Sequence, residues 1–392
     1  MANNSIDLIQ VRRDLHKIPE LALEEFETQA YLKSLITSLD CPFLTIKEVP
    51  EVPTAMLVRL AGSQPSKTIG YRTDIDGLPV EEATGLAWSS THPGKMHACG
   101  HDIHMTVAMG ILAYFANHQP KDNLVFIFQP AEEAKAGGKQ IYDAGALTGD
   151  FAPDEIYALH DQPAMPAGQL GSRFGTLLAG TTEIKLTITG VSGHAAYPHQ
   201  AKDALVAAAA FVTQVQTVVS RNVSPIHGGV VTLGSMHAGI ADNVIPGEAQ
   251  ILGTIRAFTQ TDLEMMQNRV RAVAEGVGLT YGVEIDLVLH QGGYYPVENN
   301  PEITTAFIDF MNDNPAIDFV DVEPSMAGED FGYLLSKFPG TMFWLGVGDP
   351  THSLHNAGMN PNEDALQPGV DAMTAYLEWR MDPQAQGKGT AS

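Results

Sequence analysis

The spacing of apolar residues changes character along the chain. Ile6, Ile9 and Leu15, then Phe26, Ala30 and Leu35, recur at helical intervals and predict two amphipathic helices separated by Pro19. Short apolar runs then alternate with helical ones. TAMLVRL (54–60), TIGYRTDI (68–75), LVFIFQP (124–130) and EIYALH (155–160) read as strands. TVAMGILAYFANH (106–118) and GGKQIYDAGAL (137–147) read as helices. This alternation predicts an α/β domain around a largely parallel sheet.

Near residue 180 the pattern shifts. TEIKLTITG (182–190) alternates as a strand with one wet face does, and a helix follows from about Asp203 to Ser220. GGVVTLGSM (228–236), EAQILGTIRAF (248–258) and VEIDLVLH (283–290) read as strands, with a helix over roughly 261–276. The order β-α-β-β-α-β is the ferredoxin-like one. It predicts an inserted domain over 180–292, with 1–179 and 293–392 forming the two parts of the surrounding α/β domain. In the second part, ITTAFIDFMND and DALQPGVDAMTAYLEWRM read as helices and TMFWLGVG (341–348) as a buried strand. The tail PQAQGKGTAS is expected to be disordered. The most apolar stretch, ALVAAAAFVTQVQTVV (204–219), is short for a membrane span and carries Thr and two Gln, so it reads as a buried helix.

Composition narrows the classes. A chain of 392 residues exceeds one ordinary core, and 44% apolar with 17% charged residues is globular. A net charge of −24 repels phosphate backbones and argues against nucleic-acid binding. Two cysteines, Cys41 and Cys99, exclude a disulfide framework and favour a reducing compartment. The start of the chain has no apolar signal region, so a cytoplasmic location is expected.

Open α/β sheets hold ligands at the carboxyl ends of their strands. RTDID (72–76), QPAEE (129–133) and EIYALH end three predicted strands, the last with His160. WLGVGDPTHSLH leads from a fourth to His352 and His355, and MHACGHDIHM (96–105) precedes a predicted helix. Cys99 and His101, two apart, would share one face of an extended loop. A thiolate, imidazoles and a carboxylate suit Zn²⁺, Co²⁺ or Mn²⁺. Of Glu132 and Glu133, one could bind metal while the other takes a proton from water. Each residue alone has a blander use: a loop thiol, a solvated acidic face, a satisfied core histidine. Catalysis by a Cys99 nucleophile with His101 is the main rival, but no orienting partner or oxyanion loop is visible. A non-catalytic metal-binding or assembly module is a further alternative.

RRDLHKIPEL, RTDIDGLP, MHACGHDIHM, FQPAEE, GHAAYPH, MAGEDFGY and HNAGMNPNEDAL resemble the M20 metallopeptidase family, over about residues 8 to 380. More narrowly they resemble its amidohydrolase branch of aminoacylases, hippurate hydrolases and auxin-conjugate hydrolases. The resemblance implies a zinc-peptidase-like catalytic domain interrupted by a ferredoxin-like lid that often mediates dimerisation. It implies two divalent metal ions, a small N-acyl amino acid substrate, and a homodimer or larger homo-oligomer. By the same resemblance Cys99, His101, Glu133, His160 and His355 take the ligand positions and Glu132 that of the general base, with Glu133 kept as a catalytic candidate. Many relatives carry a ligand histidine two residues before the aspartate equivalent to Asp74; this chain has Arg72 there. Asp74 then resembles the aspartate that orients a metal ligand. His194 of GHAAYPH is implied to steady the developing oxyanion, often in the partner subunit's site; by itself it would read as a loop histidine. Asn243 and Arg256 resemble residues that hold the substrate's α-carboxylate, although a lone Arg256 would read as a surface ion pair. Glu329 and Asp330 of MAGEDFGY could meet a distal substrate amine, but read more readily as structural.

Overall fold

A computed structural model describes residues 6–382; the tail expected to be disordered lies outside the described residues. The chain opens with α1 (Leu8–His16), α2 (Phe26–Ser38), β1 (Leu44–Glu48), β2 (Met56–Leu60) and β3 (Thr68–Asp74). It continues through α3 (His101–Asn117), β4 (Asn123–Gln129), α4 (Glu132–Lys135), α5 (Gly137–Asp143), β5 (Glu155–Gln162), β6 (Leu170–Ser172) and β7 (Gly175–Leu178). Next come β8 (Gly180–Thr189), β9 (Gly193–His194), α6 (Ala204–Asn222), β10 (Gly229–Ala238), β11 (Val244–Ile245), β12 (Glu248–Ala257), α7 (Gln260–Tyr281) and β13 (Glu284–His290). The last are β14 (Val297–Asn299), α8 (Pro301–Asp313), β15 (Phe319–Asp321), α9 (Phe331–Leu335), β16 (Gly340–Gly346) and α10 (Leu366–Arg380).

Two compact units result. The larger runs to Leu177 and takes in Asn299–Glu323 and the chain from Tyr333; the smaller comprises Leu178–Glu298 and Pro324–Gly332. The larger unit holds an eight-stranded sheet in the order β1-β2-β4-β3-β5-β16-β6-β15. Its centre, β4-β3-β5-β16, is wholly parallel. β4 and β16 read as unbroken apolar runs, LVFIF and MFWLG, as strands covered on both faces do, and β3 and β16 are buried at every position. The sheet as a whole is mixed: β1 and β2 join antiparallel at one edge, and β6 pairs antiparallel with β16. The sequence reading missed β1, whose LTIKE is a half-exposed edge without a clean apolar alternation.

Helix α3 starts at His101, five residues before the expected 106. Its first turn, HDIHM, looks polar, yet it is buried throughout and its charged groups are paired inside the protein. An apolar-periodicity argument cannot find such a turn, since the polar residues are not on a wet face.

The smaller unit follows the order β8-α6-β10-β12-α7-β13, with its antiparallel sheet ordered β10-β12-β8-β13. Strand β8 alternates strictly: Ile184, Leu186 and Ile188 enter the core and the residues between them do not. α6 and α7 bury Ala207, Phe211, Val215, Met266 and Val270 in the same core. α6 is long and apolar enough for a membrane span, but its buried stripe is packed within this unit. α7 runs past the expected 276 to Tyr281 and ends at Gly282, whose φ of 65° suits glycine at a helix terminus.

Phe211 is fully buried at the middle of α6. Phe211→Ala is expected to destabilise the smaller unit by about 3–5 kcal/mol, read as a lower urea midpoint.

Candidate metal centre

The parallel strands deliver the chemistry to one rim. β3 ends at Asp74, β4 leads to Glu132 and Glu133, β5 carries His160, and the loop after β16 carries His355. Cys99 arrives from a different device. Gly100, with φ 70°, turns the chain left-handed directly before α3, and a side chain there would collide with the Asp161 carboxylate. Cys99 and His101 therefore meet across a helix start and not along an extended loop.

The donor atoms gather in overlapping groups, each within 4.8 Å: Cys99 with His101 and His160, Cys99 with Glu133 and His355, and His101 with Glu132 and Glu133. Cys99 Sγ lies 3.6 Å from His160 Nε2, and His355 Nε2 lies 3.3 Å from Glu133 Oε1. Thus all five residues expected as ligands come together with Glu132, and Cys99 is common to two groups.

His101 shows why the set suits a cation. Its Nδ1 faces the Asp76 carbonyl at 2.9 Å and the Asp76 carboxylate at 3.2 Å. Its Nε2 is buried without a hydrogen-bond partner, the nearest carboxylate oxygens being Asp74 Oδ2 at 3.7 Å and Glu133 Oε1 at 3.8 Å. An orphaned imidazole nitrogen beside carboxylates and a thiol fits a metal ligand whose far nitrogen is anchored. His160 repeats the pattern, with Nδ1 at 2.8 Å from the Asp161 carbonyl and Nε2 turned to Cys99. Burial, with Glu133 and Asp161 adding to it, pushes the Cys99 thiol well above its ordinary value, so a cation is what would make it a thiolate ligand.

Asp74 does not orient His101 through its far nitrogen; Asp76 stands there. Asp74 instead takes a 2.7 Å hydrogen bond from Arg72 Nη1 and pairs with His104 Nδ1 at 2.6 Å. Burial raises its pKa, but His101, His104 and Arg72 outweigh that and hold it well below the usual carboxylate range. The Asp161 amide donates to His104 Nε2 at 2.8 Å, which puts the His104 proton on Nδ1, toward Asp74. Arg72 is also fixed by Gln129, 2.9 Å from its Nε. Asp76 and His104 were missed as site residues, although one ends RTDID and the other lies a helical turn beyond His101. Asp76 Oδ2 further accepts the Glu133 N–H at 3.1 Å.

His194, Asn243 and Arg256 belong to the smaller unit. His194 pairs with Val244 in the β9–β11 ribbon, and Ala195 N donates to Asn243 O at 3.1 Å, which brings His194 and Asn243 together. Arg256 is half-buried and donates to Met326 O at 2.8 Å and to Thr181 Oγ1 at 3.2 Å. Glu329 and Asp330 are buried, and Glu329 accepts the Phe331 N–H.

Residues 70–379 match the model for peptidase family M20/M25/M40. The chain is 56% identical over 375 residues to N-acetyldiaminopimelate deacetylase of Limosilactobacillus reuteri, covering 96% of this chain and 98% of the relative. It is 56% identical to the protein of the same name from Lactiplantibacillus plantarum, covering 97% and 99%. Among solved structures it resembles a putative aminohydrolase of methicillin-resistant Staphylococcus aureus, with a TM-score of 0.85 and 31% identity over 96% of this chain and 95% of that one. A dinuclear metal-binding peptidase of the M20 family from Bacillus subtilis matches with a TM-score of 0.83 and 29% identity, over 96% and 98%.

If Asp76 anchors His101, Asp76→Asn should weaken divalent-metal binding by about 10- to 100-fold, measured by competition with a chelator. Unaltered metal affinity would leave the anchoring to the Asp76 backbone carbonyl and remove its carboxylate from that role.

Proposed function

The chain belongs to peptidase family M20/M25/M40, and we propose that it removes the acetyl group from N-acetyl-LL-2,6-diaminopimelate, giving acetate and LL-diaminopimelate for lysine biosynthesis. The observation that carries the amide-hydrolysis reading is Glu132 standing beside overlapping donor groups that share Cys99. The names of the relatives that are 56% identical over nearly the full chain support the substrate.

Cys99, His101, Glu133, His160 and His355 would hold two divalent cations, manganese, cobalt or zinc. When bound, the cations supply Lewis acidity to the amide carbonyl and to the attacking water. Glu132 takes a proton from that water as its oxygen attacks the acetyl carbon. It then returns the proton to the amine as the C–N bond breaks. Glu132 is nearly buried, at 5% exposure, which keeps bulk water from competing for that proton. Asp74, fixed by Arg72 and His104, supplies a lasting negative charge beside the His101 nitrogen that faces the centre.

In this reading residues 180–292 form a ferredoxin-like lid and dimerisation domain between the two catalytic-domain segments, 1–179 and 293–392. His194 donates to the oxyanion of the tetrahedral intermediate, and Arg256 with Asn243 holds the α-carboxylate. The protein acts in the cytoplasm as a homodimer or larger homo-oligomer. Leu205, Ile240 and Val244, which line one exposed depression of the smaller unit, support association through that unit.

Acetate release from N-acetyl-LL-diaminopimelate should exceed release of acid from hippurate and N-acetylmethionine, and should stop on chelation and resume on adding Mn²⁺ or Zn²⁺. Preference for the simpler substrates would make the protein a broader N-acyl-amino-acid amidohydrolase. Glu132→Gln should lower kcat about 100- to 10,000-fold while metal stays bound.

A further inference from the structure

Two residues with left-handed backbones meet one buried carboxylate. Leu23 has φ 67° and Ala131 has φ 60°. Glu25, with 0% exposure, accepts both of their N–H groups through Oε1, at 2.9 Å from Leu23 and 3.0 Å from Ala131. Neither residue is glycine, so each conformation is strained and needs something to hold it.

Ala131 immediately precedes Glu132. α4 is a four-residue helix bracketed by Ala131 and by Ala136, whose φ is 50°. So short a helix has little rigidity of its own, and its direction is set by the turn that enters it. On its other side Asp76 Oδ2 accepts the Glu133 N–H. Glu132 therefore sits between two peptide groups, each held by a buried carboxylate from a distant segment. The backbone at Glu25 is tied down: it caps the start of α2, where its carbonyl accepts the Gln29 N–H at 3.0 Å. Glu20 Oε2, five residues earlier, accepts Thr28 N at 2.8 Å, and Gly77 N donates to Glu20 O at 2.7 Å beside Asp76.

We propose that Glu25 is a positioning residue for Glu132: by accepting the Ala131 N–H it fixes the left-handed turn that aims the Glu132 carboxylate. This rests on the reading of Glu132 as the general base. Nothing in the local sequence signals it, since the two residues joined by the bond are 106 apart. The role needs an acceptor oxygen and not a charge. Burial, with Asp76 adding to it, pushes the Glu25 carboxyl up to about 7, and protonated or ionised it still accepts. Glutamine can therefore stand in for it and alanine cannot.

The test compares Glu25→Ala, Glu25→Gln and Glu132→Gln in the full-length, metal-loaded enzyme, reading kcat, KM, metal content and melting temperature. Glu25→Ala should lower kcat about 10- to 100-fold, as a misaimed catalytic group does, with KM and metal content near wild type. Glu25→Gln should recover most of the lost turnover. If Glu25→Ala does not fold, Glu25→Asp decides, because it keeps the carboxylate but withdraws the acceptor by one methylene; its kcat should fall in the same way. Wild-type kcat in the folded variant, or a Glu25→Gln as impaired as Glu25→Ala, would overturn the proposal. An inactive Glu132→Gln beside a fully active Glu25→Ala sinks the role of Glu25 alone. An active Glu132→Gln removes the general-base reading and this proposal with it.

Discussion

The centre depends on the contacts of one residue, Asp76. Its carbonyl and carboxylate face His101 Nδ1 at 2.9 and 3.2 Å, and its second carboxylate oxygen accepts the Glu133 N–H at 3.1 Å. Three elements are joined there: the end of β3, the first turn of α3 and the short α4. The geometry leaves His101 only Nε2 to present to the centre. A carboxylate with no exposure is costly unless its lone pairs are used, so Asp76 is stable in this place only while His101 and Glu133 stay where they are. The constraint works in both directions.

Behind Asp76 lies a buried polar chain that apolar packing alone could not replace. Arg72, Asp74, His104 and the Asp161 main-chain N–H run in sequence beneath the sheet rim. On the far side of the same helix turn, Asp102 pairs with Arg12 Nε at 2.9 Å and with His16 Nδ1 at 2.8 Å, and the Arg12 guanidinium lies 4.0 Å from the Trp88 ring centre. The first turn of α3 is thus gripped through His101, Asp102 and His104 on separate sides. Such networks add little net stability, because desolvation offsets much of the attraction. Their effect is on register: a slipped α3 would leave several charges buried and unpaired.

The two units divide the proposed chemistry. The residues proposed as metal ligands and as proton carrier, Cys99, His101, Glu132, Glu133, His160 and His355, belong to the larger one. The residues read as holding the substrate carboxylate and the oxyanion belong to the smaller, where His194 and Asn243 are brought side by side by the β9–β11 ribbon.

Much of the fold was legible from periodicity alone. LVFIFQP and TMFWLGVG announced buried strands, and TEIKLTITG announced one with a wet face, because local apolar spacing reports which faces are covered. The strand-end rule, joined to the motif resemblance, then picked out Cys99, His101, Glu132, Glu133, His160 and His355, all of which the structure brings together. What the sequence did not disclose was how they are held. The edge strand β1, the early start of α3, the contact of Asp76 and not Asp74 with His101 Nδ1, and the reach of Glu25 to Ala131 leave no local pattern. The sequence by itself determined which chemical groups this protein owns and which strands end beside them. Only the tertiary structure decided which buried carboxylate faces which nitrogen, because those bonds join segments far apart in the chain and pass through left-handed turns at Gly100 and Ala131 that periodicity does not encode.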